Sequence, residues 1–167
     1  MSRVAIVSDT HIPSRASRVP DWIVDEIERA DHTIHAGDFD SRRAYDRIAD
    51  LAGGELTAVR GNTDPATLPV PTTATVELGG VTFVVTHGTG SSAGWHQRIV
   101  ATVREAAEPD TDPVAVAGHT HEVVETTVDG VCVLNPGSAT AASPADRETM
   151  LVATVDGGSL EVDQRTM

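Results

Sequence analysis

Seven residues of this chain have side chains suited to holding metal ions: Asp9, His11, Asp38, Asn62, His87, His119 and His121. They fall in five short patches, Asp9-Thr-His11, Gly37-Asp38, Gly61-Asn62, His87-Gly88 and Gly118-His119-Thr-His121. The donors are carboxylate, amide oxygen and imidazole, with no thiolate. That set suits manganese, iron, zinc or nickel at a reactive centre better than a zinc ribbon. One metal does not need seven ligands, whereas two metals sharing a carboxylate do. Such a pair sits about 3.5–4 Å apart and clamps the attacking and leaving oxygens of an in-line displacement. Water held between the two cations loses a proton near neutral pH and becomes the nucleophile.

The elements that must position these residues are legible as apolar runs. Each patch follows or ends one: Val4-Ala-Ile-Val7, Thr33-Ile-His-Ala36, Leu56-Thr-Ala-Val59, Val81-Thr-Phe-Val-Val85 and Val114-Ala-Val-Ala117. A sheet whose strands run together would bring the five ends to one rim, where α/β proteins bind ligands. Strands are predicted at about 3–8, 32–36 and 55–60. A helix starts near Pro20, with Pro20 in its first turn and Trp22, Ile23 and Ile27 at helical spacing, and a second covers about 41–52 before Gly53-Gly54. This β-α-β-α-β half should be parallel. Beyond the proline-rich stretch 65–71, strands 72–78 and 81–86 turn on Gly79-Gly80. A helix at about 95–107 and a strand at 113–117 follow. A hairpin at 122–134 turns on Asp129-Gly130, and a final pair, 149–155 and 159–165, turns on Gly157-Gly158.

The blocks D-x-H, G-D, G-N, H and G-H-x-H, in that order, resemble the calcineurin-like metallophosphoesterase superfamily. The likeness is closest to its small stand-alone bacterial and archaeal phosphodiesterases. It runs from Arg3 to about Arg165 and includes Asn135-Pro-Gly-Ser138, which looks like that group's late loop. The resemblance implies an α+β fold with an α/β-type N-terminal half: a four-layer sandwich of two mixed β-sheets flanked by helices, in a single domain spanning 1–167. It also implies two divalent metal ions, manganese foremost, with nickel, iron, zinc and magnesium as alternatives. Asp9, His11 and His121 would hold the first metal and Asn62, His87 and His119 the second, with Asp38 bridging. The implied activity is hydrolysis of a small-molecule phosphodiester by a metal-bridging hydroxide, with Asp38, Asn62 and His87 at the catalytic centre. Asn62, Thr63, Thr89 and His96 are the candidate substrate contacts, and a homodimer is common among the relatives.

Two positions depart from the family pattern. Many members carry a histidine after the G-N pair as general acid; here the residue is Thr63, which cannot give up a proton near neutral pH. Leaving-group protonation then falls to water, Asp64, His96 or a metal-bound group. Close relatives often read H-G-H where this chain reads His87-Gly88-Thr89. The G-D block lacks the acidic-Arg-Gly extension of the protein phosphatases and dinucleotide-polyphosphate hydrolases, which disfavours both activities. A binding scaffold like the retromer subunit of the same fold is the alternative reading, and the intact ligand set weighs against it.

Of the remaining histidines, His32 is expected at the surface and His35 behind the ligands, orienting them rather than binding metal. Backbone amides of the small-residue loop Gly88–Gly94 could approach a phosphate oxygen. Cys132 is expected to be a buried small hydrophobe.

Composition narrows the setting. A chain of 167 residues, 40% hydrophobic, supports one core. No apolar stretch is long enough to span a membrane, no leader precedes the first strand, and the lone Cys132 cannot form an intramolecular disulfide. A cytoplasmic protein is the expectation. Acidic residues number 25 against 12 basic, and every basic residue is arginine, as in proteins of a salt-saturated cytoplasm. A net charge of −13 argues against a nucleic-acid duplex as the natural partner. The densest basic patch, Arg42, Arg43 and Arg47 beside Asp46 and Asp50, reads as a solvated helix face.

Overall fold

The computed structural model describes all residues, 1–167. Its chain order is β1 (Ser2–Val7), α1 (Asp21–Arg29), β2 (His32–His35), α2 (Arg42–Leu51), β3 (Leu56–Ala58), β4 (Thr73–Leu78), β5 (Val81–Thr86), α3 (Trp95–Ala106), β6 (Val114–Val116), β7 (Val123–Val128), β8 (Val131–Pro136), β9 (Thr149–Asp156) and β10 (Ser159–Thr166). The strands form two five-stranded sheets, ordered β10-β9-β1-β2-β3 and β4-β5-β6-β8-β7. β1, β2 and β3 are parallel, as the βαβαβ pattern requires, and β9 returns antiparallel beside β1. In the second sheet β5, β6 and β8 run parallel between two antiparallel edges.

Alternation along β1 shows why the layers stack. Val4 and Ile6 face the second sheet, meeting Phe83, Val85 and Leu134 between the sheets. Ala5 and Val7 face outward, beneath Ile23, Ile27 and Ile48 of α1 and α2. On the other side α3 lays Trp95, Ile99 and Val103 over Val84, Ala115 and Val133. The result is the α–β–β–α sandwich expected from the resemblance. No helix is long and apolar enough to cross a membrane.

Three details differ from expectation. The five patches end strands of two facing sheets, not one, so the rim is the open edge of the sandwich. Pro20 stands at the N-cap of α1, one place before its first turn, and its carbonyl accepts from Ile23 and Val24. His32 is half-buried, its Nε2 bonded to the Thr57 hydroxyl on the neighbouring strand.

Candidate metal centre

Loops leaving β1, β2, β3, β5 and β6 meet at this edge, and they are tied together before any side chain is considered. Asp9 N donates to Gly37 O (3.0 Å), His11 N to Asp38 O (3.1 Å) and Gly118 N to His87 O (3.1 Å). Asp9, His11, Asp38, His119 and His121 all have positive φ, between 46° and 78°. Each such residue costs on the order of 1 kcal/mol or more and persists where surrounding bonds fix it. The bonds are visible: Ser138 Oγ donates to Asp9 O (2.7 Å) and Thr140 Oγ1 to Thr10 O (2.7 Å). Asn135 Nδ2 and Trp95 Nε1 both donate to Gly118 O.

The side chains form two clusters, Asp9 with His11 and His121, and Asp38 with His87 and His119; within each, the ligand atoms lie within 4.8 Å of one another. His121 Nε2 is 3.3 Å from Asp9 Oδ1, and His11 Nε2 is 3.6 Å from it. Asp38 Oδ2 lies between the clusters, 3.5 Å from His11 Nε2 and 3.0 Å from His87 Nε2. Each cluster draws on both sheets.

Proton placement on the imidazoles follows from their outer partners. His11 Nδ1 is 2.9 Å from Asp40 Oδ1, His87 Nδ1 is 2.7 Å from Ala36 O, and His121 Nδ1 is 2.9 Å from Ala142 O. Oxygens of that kind only accept, so each Nδ1 carries a hydrogen and each ring turns its Nε2 inward. His119 is reversed: Nε2 donates to Gly90 O (2.8 Å), leaving the Nδ1 lone pair beside Asn62 Oδ1 at 3.1 Å. His11 Nε2 and His121 Nε2 likewise face each other at 3.2 Å. Facing acceptor atoms at this distance repel unless a proton or a metal cation lies between them. Two buried atoms, Asp9 Oδ1 and His87 Nε2, have no aligned hydrogen-bond partner in the protein. Unsatisfied buried polar atoms are costly unless something else binds them. The residues present fit divalent metal.

Charge tells the same story. Burial opposes ionisation of Asp9, but His11, His121 and His87 hold its carboxyl well below the usual carboxylate range. Asp38 is also lowered, with burial opposed by His87 and the Thr63 amide. Burial disfavours a charged His87, yet Asp38 and Asp9 raise it to about 9, and Asp9 raises His121 against the same burial. Without metal these imidazoles attract protons to the same inward-facing atoms.

The other singled-out residues divide. Asn62 and Thr89 line a cavity of about 350 Å³ beside His87, with Arg60 and no apolar residue. Thr63 does not line it: its amide donates to Asp38 Oδ1 (3.0 Å) and its hydroxyl to Asp40. His96 is exposed on the first turn of α3, against the edge of Trp95, and also lies outside the cavity. Asp64 is spent on backbone, accepting from the amides of Asp38, Gly61 and Asp40. The Gly88–Gly94 loop is fastened by Arg98, which donates to Gly88 O and Ser91 O. His35 is fully buried behind the site, stacked on Phe39, its Nδ1 accepting from Gly37 N; burial lowers it to about 3, so it is neutral. His119 and His121 do not lie on an extended segment as their alternation suggested. Both are left-handed, which sends them to different clusters. Sequence reasoning missed Asp40, which holds His11; its signal was a second acid two places after Asp38.

The sequence model of the calcineurin-like phosphoesterase superfamily domain matches residues 2–158. The chain belongs to that superfamily. A probable metallophosphoesterase of Methanothermobacter thermautotrophicus is 29% identical over 161 residues, covering 96% of this chain and 90% of its own. A phosphodiesterase of Methanocaldococcus jannaschii is 28% identical over 150 residues, covering 81% and 82%. In structure, Vps29 of Chaetomium thermophilum superposes with a TM-score of 0.81 at 19% identity, over 100% of this chain and 97% of its own. That identity speaks for the fold alone. Membership of the superfamily implies divalent metal ions, and the two clusters are the candidate places for them.

Proposed function

We propose that the protein is a dinuclear metal-dependent phosphodiesterase acting on a small-molecule phosphodiester. The observation that carries this reading is the convergence of ligand atoms: His11 Nε2 against His121 Nε2, and His119 Nδ1 against Asn62 Oδ1, with Asp38 beside His11 and His87. Asp9, His11 and His121 would hold one cation, Asn62, His87 and His119 the other, and Asp38 both. When bound, such a pair acidifies a water and neutralises phosphoryl charge. The chain's own part is to fix the ligands from behind through Asp40, Ala36 O, Ala142 O and Gly90 O. Asn62 supplies a neutral oxygen where a carboxylate would repel phosphate. The polar cavity with Arg60 and Thr89 beside Asn62 suits a polar, anionic ester, and residues 1–167 act as one domain in the cytoplasm.

The M. jannaschii phosphodiesterase supports diester chemistry by likeness. The scaffold reading suggested by Vps29 has less behind it. Only the terminal Met1 and Met167 are large exposed hydrophobics, so the surface offers few apolar anchors of the kind that centre protein interfaces. Elemental analysis after loading with manganese, then nickel, iron, zinc and magnesium, should find two cations per chain and rank the metals by activity on bis(p-nitrophenyl) phosphate. Asp38→Ala should lose both metals or nearly all turnover. Full occupancy with normal turnover in that variant would overturn the assignment.

A further inference from the structure

A second cavity, about 590 Å³, is lined by none of the seven ligand residues. It opens between α2 and the segment that runs from the Asp9–Ile12 loop into α1. Its apolar lining includes the buried Val19 and Ile48 and the half-buried Ile12. Its cationic lining is Arg18, Arg43 and Arg47, against the single acid Asp21. The size falls within the range of small-molecule sites.

The charges are distributed against expectation. Arg42, one residue from the cavity lining, pairs with Asp46 at 2.9 Å, and Arg18 pairs with Asp21 at 3.3 Å. The side chains of Arg43 and Arg47, one helical turn apart, make no ion pair or hydrogen bond in a chain with 25 acidic residues. They are solvated, as the sequence suggested, but they also border an apolar hollow. Two free guanidiniums beside such a hollow match an anion with an apolar body, because guanidinium binds carboxylate and phosphate oxygens through paired N–H donors.

We propose that this cavity binds a small amphipathic anion, its phosphate or carboxylate head held by Arg43 and Arg47 and its apolar body against the half-buried Ile12 and Val24. The proposal is independent of the phosphodiesterase reading. Calorimetric titration of the full chain with phenyl phosphate tests it, using Asp38→Ala protein alongside the metal-loaded wild type so that the metal centre is not what binds. Binding should appear in both proteins. Arg43→Gln with Arg47→Gln should weaken it about tenfold or more, in keeping with the loss of charge-assisted bonds. Inorganic phosphate, lacking the body, and phenol, lacking the head, should each bind far more weakly. Benzoate as a second probe assigns the head: affinity equal to or above phenyl phosphate means carboxylate, and lower affinity means phosphate. Absence of binding to the Asp38→Ala protein by both phenyl phosphate and benzoate would overturn the proposal. So would undiminished binding by the double arginine variant, or inorganic phosphate binding as tightly as phenyl phosphate. Both arginines are exposed, so folding of the double variant, checked by circular dichroism, should match the parent.

Discussion

His11, His87 and His121 give their Nδ1 hydrogen to an oxygen behind them, while His119 gives its Nε2 hydrogen. The difference follows from which loop supplies the outer acceptor. For His11 that acceptor is a carboxylate, Asp40, which also takes hydroxyl hydrogens from Ser14 and Thr63. Outer partners of this kind raise ligand basicity and fix the ring, and losing one typically costs about 10–100-fold in metal affinity or activity. Asp40→Ala should therefore weaken metal binding by that order in a metal titration while leaving the melting temperature of the metal-free protein little changed. The leaving group poses a separate question. Thr63, Asp64 and His96 are bonded elsewhere or exposed away from the cavity, so no side-chain acid is poised. General acid catalysis contributes about 100–10,000-fold. Aryl phosphodiesters should accordingly be cleaved far faster than alkyl ones, and equal rates would reveal an acid supplied from elsewhere. His35 adds to the acid sensitivity that the lowered Asp9 and Asp38 carboxyls bring. Its folded value of about 3 lies below the ordinary 6.5, so the native state binds fewer protons than the unfolded chain between the two. Its contribution is complete above pH 6.5 and lost as pH falls toward 3, at up to about 1.4 kcal/mol per pH unit. Melting temperature should fall more steeply between pH 6.5 and 4 in the wild type than in His35→Gln. Parallel slopes would assign the acid limb to other groups.

At the level of elements, the strands were legible because apolar alternation and glycine turns mark them locally. The hairpins at Gly79-Gly80, Asp129-Gly130 and Gly157-Gly158 fall where the sequence placed them. The pairing of sheets was not legible from periodicity, because which strand lies beside which depends on contacts far apart in the chain; only the resemblance carried it. Left-handed backbone at His119 and His121 was equally invisible, since alternation cannot distinguish a strand from a turn. Close packing of loops was hinted at by glycines alone. A Cβ at Gly61 would run into Asp38 Oδ1 and crowd the Asp38 amide, and one at Gly118 would meet Ser8 Oγ and Asp9 Oδ2. Gly61→Ala should thus displace Asp38 and reduce turnover by at least as much as Asp40→Ala. Its circular dichroism should remain that of the parent, because the strands on either side do not depend on that contact. Unchanged turnover would show that the loop gives way without moving the carboxylate.

Over the whole molecule the charge is the dominant peculiarity. Arg3, Arg29 and Arg165 all converge on the one buried Glu26, so several arginines are committed to a single acid while most acids remain exposed. Self-repulsion of an excess of 13 negative charges should destabilise the compact state in dilute buffer. At molar salt the Debye length is about 3 Å, so raising KCl should raise the melting temperature. Divalent metal should add a separate increment by binding only the folded chain. Asp38→Ala should keep the salt response and lose the metal response. A melting temperature that is flat across this range of salt would remove the halophilic reading without touching the metal centre.

The strand β9 fills the gap beside β1, yet it follows every strand of the second sheet in the chain. During synthesis the second sheet can close on itself while the apolar edge Val4-Ala-Ile-Val7 still lacks its neighbour. Until residues 149–156 have left the ribosome, that edge is a bare template for pairing with another chain, a known route to misassembly. The acidic surface then acquires a role in time as well as in place, since nascent chains that repel one another are slower to join through an unfinished sheet.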